Sequence, residues 1–197
     1  IAAGEAPRDV LVAYGHVVAS QQSFDQLRDV LVRRAEGAEG GDAAEALHDA
    51  ALVTRNHLRD DAGAVALLQR AVAAAPDDWF SLRLLREQLH RTSDWSALVD
   101  TLGAMAAVAG GAQAARLYVE QGRVLEQHLE RGDDARAAFV QAREAAPDSV
   151  EAFLALERHA LAGSDDSALA ALYRAEAARL GGADAAFFHV KAARSAA

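Results

Sequence analysis

The sequence predicts an all-α protein, an α-solenoid of antiparallel helical hairpins with about 11 helices, and three observations carry that reading. The 197 residues are 52% hydrophobic but only 6% aromatic, with three prolines and a great excess of alanine, the residue with the highest helix propensity. Apolar residues recur at helical spacing between Gly, Pro and Ser/Asp punctuation along the whole chain. Residues 58–115 also align without a gap on residues 129–186, at an offset of 71 and with 22 identities. The matches that are not alanine are mainly stops, caps and core positions: Pro76/Pro147, Asp77/Asp148, Leu85/Leu156, Ser93/Ser164, Asp94/Asp165, Leu98/Leu169, Gly110/Gly181 and Gly111/Gly182. What repeats is therefore architecture.

The elements follow in order. Leu11, Tyr14, Gly15 and Val18 predict a first helix over about 8–20. Ser23-Phe24-Asp25-Gln26 has the form of a capping box and opens a second helix, which stops before Gly37. Gly40-Gly41 is read as a break, and Asp42-Ala43-Ala44-Glu45 as the capping box of a helix over about 42–58. Asp60-Asp61 opens the next helix, which Pro76 ends because proline lacks an amide donor and disfavours helix in the residue before it. Asp77 is the expected N-cap of the following helix, with Leu82, Leu85 and Leu89 on one face, and Ser93-Asp94 caps the helix of Trp95, Leu98, Leu102 and Met105.

Beyond Gly110-Gly111, helices are expected over about 112–130, 133–145, 148 onward with Phe153 and Leu156, and then through Leu169, Leu172 and Tyr173. A last half-repeat spans 183–195. The hairpins are thus about 8–37, 42–75, 77–109, 112–146 and 148–180, read as a single domain over 1–197 because no linker interrupts them. Connections this short force neighbouring helices to run antiparallel.

A period near 35 residues, with small residues where helices meet and Pro-Asp endings, resembles the tetratricopeptide repeat. Leu11, Tyr14, Gly15, Val18, Phe24, Leu27 and Leu31 match its pattern in the first hairpin. Ala51, Ala64, Leu68, Ala71 and Pro76 do so in the second, and Tyr118, Gly122, Ala135, Phe139, Ala142 and Pro147 in the fourth. Hairpins three and five depart from it with Arg86, Met105, Glu157 and Glu176 at small or apolar positions, so their helices are expected to be spread further apart. The resemblance implies a right-handed superhelix whose first helices line a concave groove that binds proteins or peptides.

Charge and motif content narrow the function. A formal net charge of −9, from 29 acidic and 20 basic residues, disfavours nucleic acid, and no regular series of aromatics is present to stack bases. No apolar run approaches the roughly 20 residues of a membrane span. There are no cysteines, and HExxH, GxSxG, P-loop and GxGxxG motifs are absent, so no enzyme activity, metal or cofactor is expected. His57 and His128 read as helix-end residues, and Asp60-Asp61, Asp133-Asp134 and Asp165-Asp166 as helix caps. Lys191 is the only lysine, which with the arginine and alanine content points to a GC-rich, bacterial genome. The chain begins Ile1-Ala2-Ala3 without a methionine, the expectation for a fragment of a longer protein, and this leaves the compartment open, the cytoplasm being the preferred reading.

Carried over onto the matched helices, the family's concave positions fall on His48, Arg55, Asn56, Phe80, Arg83, Glu87, His90, Arg91, Arg116, Arg123, Glu126, Gln127, Leu154 and Arg158. That face is either a solvated helix surface or an arginine-rich site for an acidic or C-terminal peptide, because guanidinium forks pair with carboxylates bidentately. The expected function is a protein-interaction scaffold with a protein or peptide partner. The alternative is an assembly component that self-associates through its terminal half-repeat, where Phe187 and Phe188 are expected to lie uncovered. Trp79 and Phe80 are adjacent at a helix start, so one of them is expected to be exposed.

Overall fold

A computed structural model describes residues 23–196. The expected helix over 8–20 lies outside the described residues. Ten helices are described: α1 Phe24–Glu36, α2 Gly40–Asn56, α3 Asp61–Ala74, α4 Trp79–Thr92, α5 Trp95–Ala109, α6 Gly111–His128, α7 Gly132–Ala145, α8 Val150–Ala162, α9 Asp166–Arg179 and α10 Gly182–Arg194. No strand occurs among the described residues. The fold is all-α and built of helical hairpins. Packing divides the chain between Val108 and Ala109 into two compact units.

The punctuation works as local chemistry requires, with corrections at four helix starts. Ser23 is the N-cap of α1, but its side chain makes no capping hydrogen bond, so the proposed capping box does not form. Gly40 and Gly41 lie inside the first turn of α2, whose N-cap is Glu39, and Asp42 follows them within that turn. The reason is backbone conformation. Gly40 enters the helix at φ +55°, and Gly111 and Gly182, each 71 residues further on, do the same at +52° and +62°. This left-handed region is open to glycine at little cost.

The cap of α4 is Asp78, one residue later than expected, accepting hydrogen bonds from the amides of Phe80 and Ser81. Pro76 and Asp77 are instead the central residues of a turn closed by Asp78 N to Ala75 O at 3.1 Å, where proline's fixed φ suits the second position. Pro147 and Asp148 repeat that turn ahead of the α8 cap Ser149, which accepts from Ala152 N. Asp60 and Asp165 cap α3 and α9 as expected, whereas Asp133 and Asp134 lie in the first turn of α7 and Arg131 occupies its cap position.

The backbone carries the 71-residue period further than residue identity does. Arg59 and Glu130 stand at φ +58° and +55°, and Ser93 and Ser164 at +57° and +53°. After each serine the next amide reaches back to close the helix, Asp94 N to Leu89 O at 3.0 Å and Asp165 N to Ala160 O at 2.9 Å. These six-to-one bonds satisfy carbonyls that a helix end leaves open, offsetting the roughly 1–2 kcal/mol that a left-handed residue costs. Arg59 and Glu130 share no side-chain chemistry, so their common left-handed conformation is a feature of the backbone that the alignment alone does not reveal.

In the first unit α1 packs on α2, α2 on α3 and α3 on α4. Leu82, Leu89, Leu98, Leu102 and Met105 are buried to 1% exposure or less. Phe24 stacks on His57 with ring centroids 3.8 Å apart, so the imidazole covers the α1–α2 junction rather than the helix-end carbonyls. In the second unit α6 packs on α7, α7 on α8, α8 on α9 and α9 on α10. Phe139 of α7 is fully buried against Gly122 of α6, where a Cβ atom would come within 2.6 Å of Cδ1 and 2.8 Å of Cζ. The equivalent positions in the first unit are Ala51 and Leu68, both buried. The larger ring is thus matched by the smaller backbone residue.

Two of the positions that depart from the repeat pattern, Glu157 and Glu176, hold polar junctions. Glu157 accepts hydrogen bonds from Tyr173 Oη at 2.6 Å and Lys191 Nζ at 2.7 Å, tying α8 to α9 and α10. Burial alone would raise its pKa, but those two donors hold it below the ordinary value. Glu176 is buried between Arg143 of α7, to which it hydrogen-bonds, and Arg179 at 2.6 Å. Burial, and then the neighbouring Arg179 charge, lower the pKa of Arg143.

Candidate functional site

The candidate residues of the first unit lie on α2 and α4, two helices whose adjacent faces are joined by polar contacts. His48 of α2 hydrogen-bonds to Ser81 Oγ of α4, and its Nε2 lies 3.4 Å from Asp78 Oδ2. Ser81 Oγ donates to Asp78 Oδ2 at 2.6 Å. Burial lowers the pKa of His48 more than the Asp78, Asp49 and Glu45 carboxylates raise it, so the imidazole is neutral at pH 7. The proton chain that satisfies all three groups runs from His48 Nε2–H to Ser81 Oγ and from Ser81 Oγ–H to Asp78.

Serine, histidine and aspartate meet here, but the wiring differs from that of a nucleophilic triad. The serine proton is directed at the aspartate, no carboxylate among the described residues hydrogen-bonds the imidazole through Nδ1, and Ser81 is 0% exposed with His48 at 6%. A substrate has no access to the hydroxyl. The node caps α4 and pins it to α2, and His48 is thereby removed from the accessible face that the sequence assigned to it.

The remaining candidates on these helices are at the surface or half-buried. Phe80 is 43% exposed, with Trp79 half-buried beside it, and its ring meets His48 edge-on at 5.0 Å. Arg83 lies over the Phe80 ring at 5.4 Å and has no carboxylate partner among the described residues. Arg55 lies 3.6 Å from Glu87 and donates to Asn56, and Arg91 pairs with Asp61 at 2.9 Å. His90 meets Trp95 edge-on at 5.4 Å. Several arginines read as cationic from sequence are thus matched by acids contributed from other helices, and Arg83 is the exposed cation left beside an exposed aromatic ring.

In the second unit the corresponding helices are α6 and α8. Arg123 pairs with Glu151 at 3.1 Å. Arg158 and His159 both approach Glu126, at 2.9 and 3.1 Å, the arginine off the hydrogen-bonding direction so that Glu126 Oε2 keeps a free lone pair. Arg116 is exposed without a carboxylate partner among the described residues, and Gln127 is exposed. Leu154 and Leu161 stand where the first unit has Arg83 and His90, at 52% and 58% exposure. The same position is therefore cationic in one unit and aliphatic in the other.

The expected terminal pair divides. Phe188 packs against Phe153 and Tyr173, with centroids at 5.5 and 6.1 Å, and joins their core, so it does not form an uncovered end. Phe187 is 59% exposed and Val190 52%.

Sequence reasoning missed one pair of concavities. A cleft of about 420 Å³ lies among α7, α8 and α9, lined by Val140, Leu156 and Leu172 together with Arg136 and His159. Its counterpart in the first unit, about 290 Å³, carries Gln69, Leu85 and Thr101 at the equivalent positions, with Asp100 beside them. The offset of 71 residues was the signal that relates them, but side-chain spacing alone does not reveal an opening between helices. Among the described residues no group of three or more His, Asp or Glu side chains is placed to hold a metal ion, and no helix is long and apolar enough to cross a membrane.

No protein-family model and no curated protein sequence matches the chain. Solved structures similar to it include one described as MamA RS-1 ArsTM double mutant, at 15% identity and a TM-score of 0.47, covering 98% of this chain and 96% of that one. Another, described as the crystal structure of MamA, is 14% identical at a TM-score of 0.47, covering 92% of this chain and 94% of that one. The all-α hairpin fold rests on the chain's own helices, and these likenesses assign no role to any residue in it.

Proposed function

We propose that the chain is a non-enzymatic protein-interaction scaffold that captures an acidic peptide segment, by its side chains or its C-terminal carboxylate, on the face shared by α2 and α4. The observation that carries this reading is the exposed Phe80 ring with the Arg83 guanidinium over it. Arg83 is a cation with no internal carboxylate to neutralise it, held against an aromatic surface. A guanidinium in that position forms a fork for a carboxylate while the ring takes up an apolar side chain next to it. The neighbouring Arg55–Glu87 pair ties α2 to α4 and the Arg91–Asp61 pair ties α4 to α3, and both frame the site while adding little net charge.

A panel of fluorescent peptides with acidic C-termini, each compared with its C-terminal amide, tests the reading by polarisation. Binding should weaken as salt rises and be lost in Arg83→Glu. Saturable binding that is unchanged in Arg83→Glu sinks it. Reversal of Arg116 and Arg123 in the second unit extends the test there, with the Arg123→Glu result corrected for loss of the Glu151 pair.

A second reading, self-association through α10, is supported by the exposure of Phe187 and Val190 on its outer side.

A further inference from the structure

The cleft of about 420 Å³ among α7, α8 and α9 has a polar end and an apolar end. Short connections set these three helices antiparallel, so the start of α7, the end of α8 and the start of α9 lie together. A Cβ atom on Gly132, at the start of α7, would accordingly lie 3.9 Å from His159 Cε1 of α8. Asp133, Arg136, His159 and Asp165 therefore line one end of the cleft, and Val140, Leu156, Leu172 and Ala175 line the other.

Two of the four polar side chains are already engaged. Asp165 Oδ1 accepts from the Ala168 amide at 2.9 Å, and His159 Nδ1 lies 3.1 Å from Glu126 Oε1. Asp133 and Arg136 are exposed and have no ion-pair partner among the described residues. They do not pair with each other, although Arg131 and Asp134 meet at 2.6 Å across the same spacing on the same turn. One free carboxylate and one free guanidinium thus stand together at the polar end. The first unit reverses this arrangement. Ala62 and Val65 take the places of Asp133 and Arg136, while Gln69, Asp100 and Thr101 take those of Val140, Ala171 and Leu172. An opening of about 290 Å³ is still present there, so the concavity belongs to the repeat and its lining belongs to the unit.

We propose that the second-unit cleft binds a free α-amino acid with a branched aliphatic side chain. Its carboxylate meets Arg136, its ammonium meets Asp133, and its side chain lies among Val140, Leu156 and Leu172. Charge complementarity selects this occupant. A simple anion would leave Asp133 facing it unneutralised and a simple cation would do the same to Arg136, whereas a zwitterion satisfies both. An internal peptide segment carries neither α-charge on its backbone. The volume lies within the roughly 300–1,000 Å³ of small-molecule pockets, and an apolar lining with a few convergent polar groups is their usual chemistry. The site is separate from the face shared by α2 and α4 and does not rest on the peptide reading.

Isothermal titration calorimetry on the whole chain tests the site, with L-leucine, L-leucinamide, isocaproate and N-acetyl-L-leucinamide as probes. L-Leucine should bind saturably. Leucinamide and isocaproate each lack one of the two charges and should bind about ten-fold more weakly, and the doubly blocked compound more weakly still. Arg136→Gln and Asp133→Asn, both at exposed positions, should each weaken leucine binding about ten-fold while leaving the far-UV circular dichroism unchanged. Val140→Gln with Leu172→Thr, which imports the residues of the first unit, should abolish binding. Absence of saturable leucine binding, or binding that is unchanged in Arg136→Gln, overturns the proposal. Equally tight binding of N-acetyl-L-leucinamide overturns it in favour of an apolar side chain of a protein partner, and equally tight binding of isocaproate in favour of a simple apolar anion.

Discussion

Gly122→Ala sets two effects of opposite sign against each other, and the structure decides which wins. Alanine has the higher helix propensity, so in the middle of α6 the substitution should stabilise by up to about 1 kcal/mol if nothing stood in the way. The added Cβ, however, would sit within 2.6 and 2.8 Å of Phe139 ring carbons, where carbon atoms normally lie about 3.5–4.0 Å apart. Phe139 is 0% exposed and cannot swing into solvent. Overpacking a core costs about 1–3 kcal/mol, and contacts this short against a fully buried ring put it at the upper end, which leaves a net loss of about 2 kcal/mol after the propensity gain.

Urea denaturation followed by far-UV circular dichroism measures that loss, with Gly41→Ala as the control because nothing lies within 4 Å of its added Cβ. The control should be neutral or slightly stabilising. Phe139→Leu recreates the Ala51/Leu68 combination of the first unit once Gly122→Ala is added, so the overpacking cost should vanish in that background, a coupling of about 2–3 kcal/mol. If Gly122→Ala is as stable as the parent, or costs the same in the Phe139→Leu background as beside the native ring, the close approach of α6 and α7 does not govern this position.

Two further outcomes follow from the buried polar groups. Burial holds the His48 pKa below its ordinary 6.5, so the unfolded chain binds the proton more tightly than the folded one. The stability that comes from keeping the imidazole neutral is present above pH 6.5 and is lost as pH falls toward and through the folded value. Unfolding free energies measured between about pH 7.5 and 5 should therefore decline, and His48→Gln should flatten that decline; an unchanged slope in the variant removes His48 as its source. Glu176→Gln leaves Arg143 largely buried without its carboxylate and should destabilise by about 3 kcal/mol. Replacing both by leucine should recover most of that loss, and a Glu176→Gln protein within about 0.5 kcal/mol of the parent rules out a structural role for the pair.

The candidate face was legible in sequence only as far as one helix. Arg55, Arg91, Arg123 and Arg158 do carry the charge that their identity promises, but their acids come from other helices: Asp61 is 30 residues from Arg91, and Glu151 is 28 from Arg123. Nothing within one turn of either arginine announces the pairing. Phe80 and Arg83, three residues apart on α4, were legible together because i,i+3 neighbours meet on any helix. His48 was misplaced because its accessibility depends on Ser81, 33 residues away.

The sequence by itself determined the helices, their stops and the 71-residue period. Those features are set by glycine, proline and capping side chains acting on the backbone within about four residues, a range that sequence displays directly. Only the tertiary structure decided which arginines are neutralised, and which of Phe187 and Phe188 lies in the core. These outcomes depend on which side chains neighbouring helices bring to a shared face. A helix turns by about 100° per residue, so one residue of phase between two helices exchanges a paired arginine for a free one and a buried ring for an exposed one.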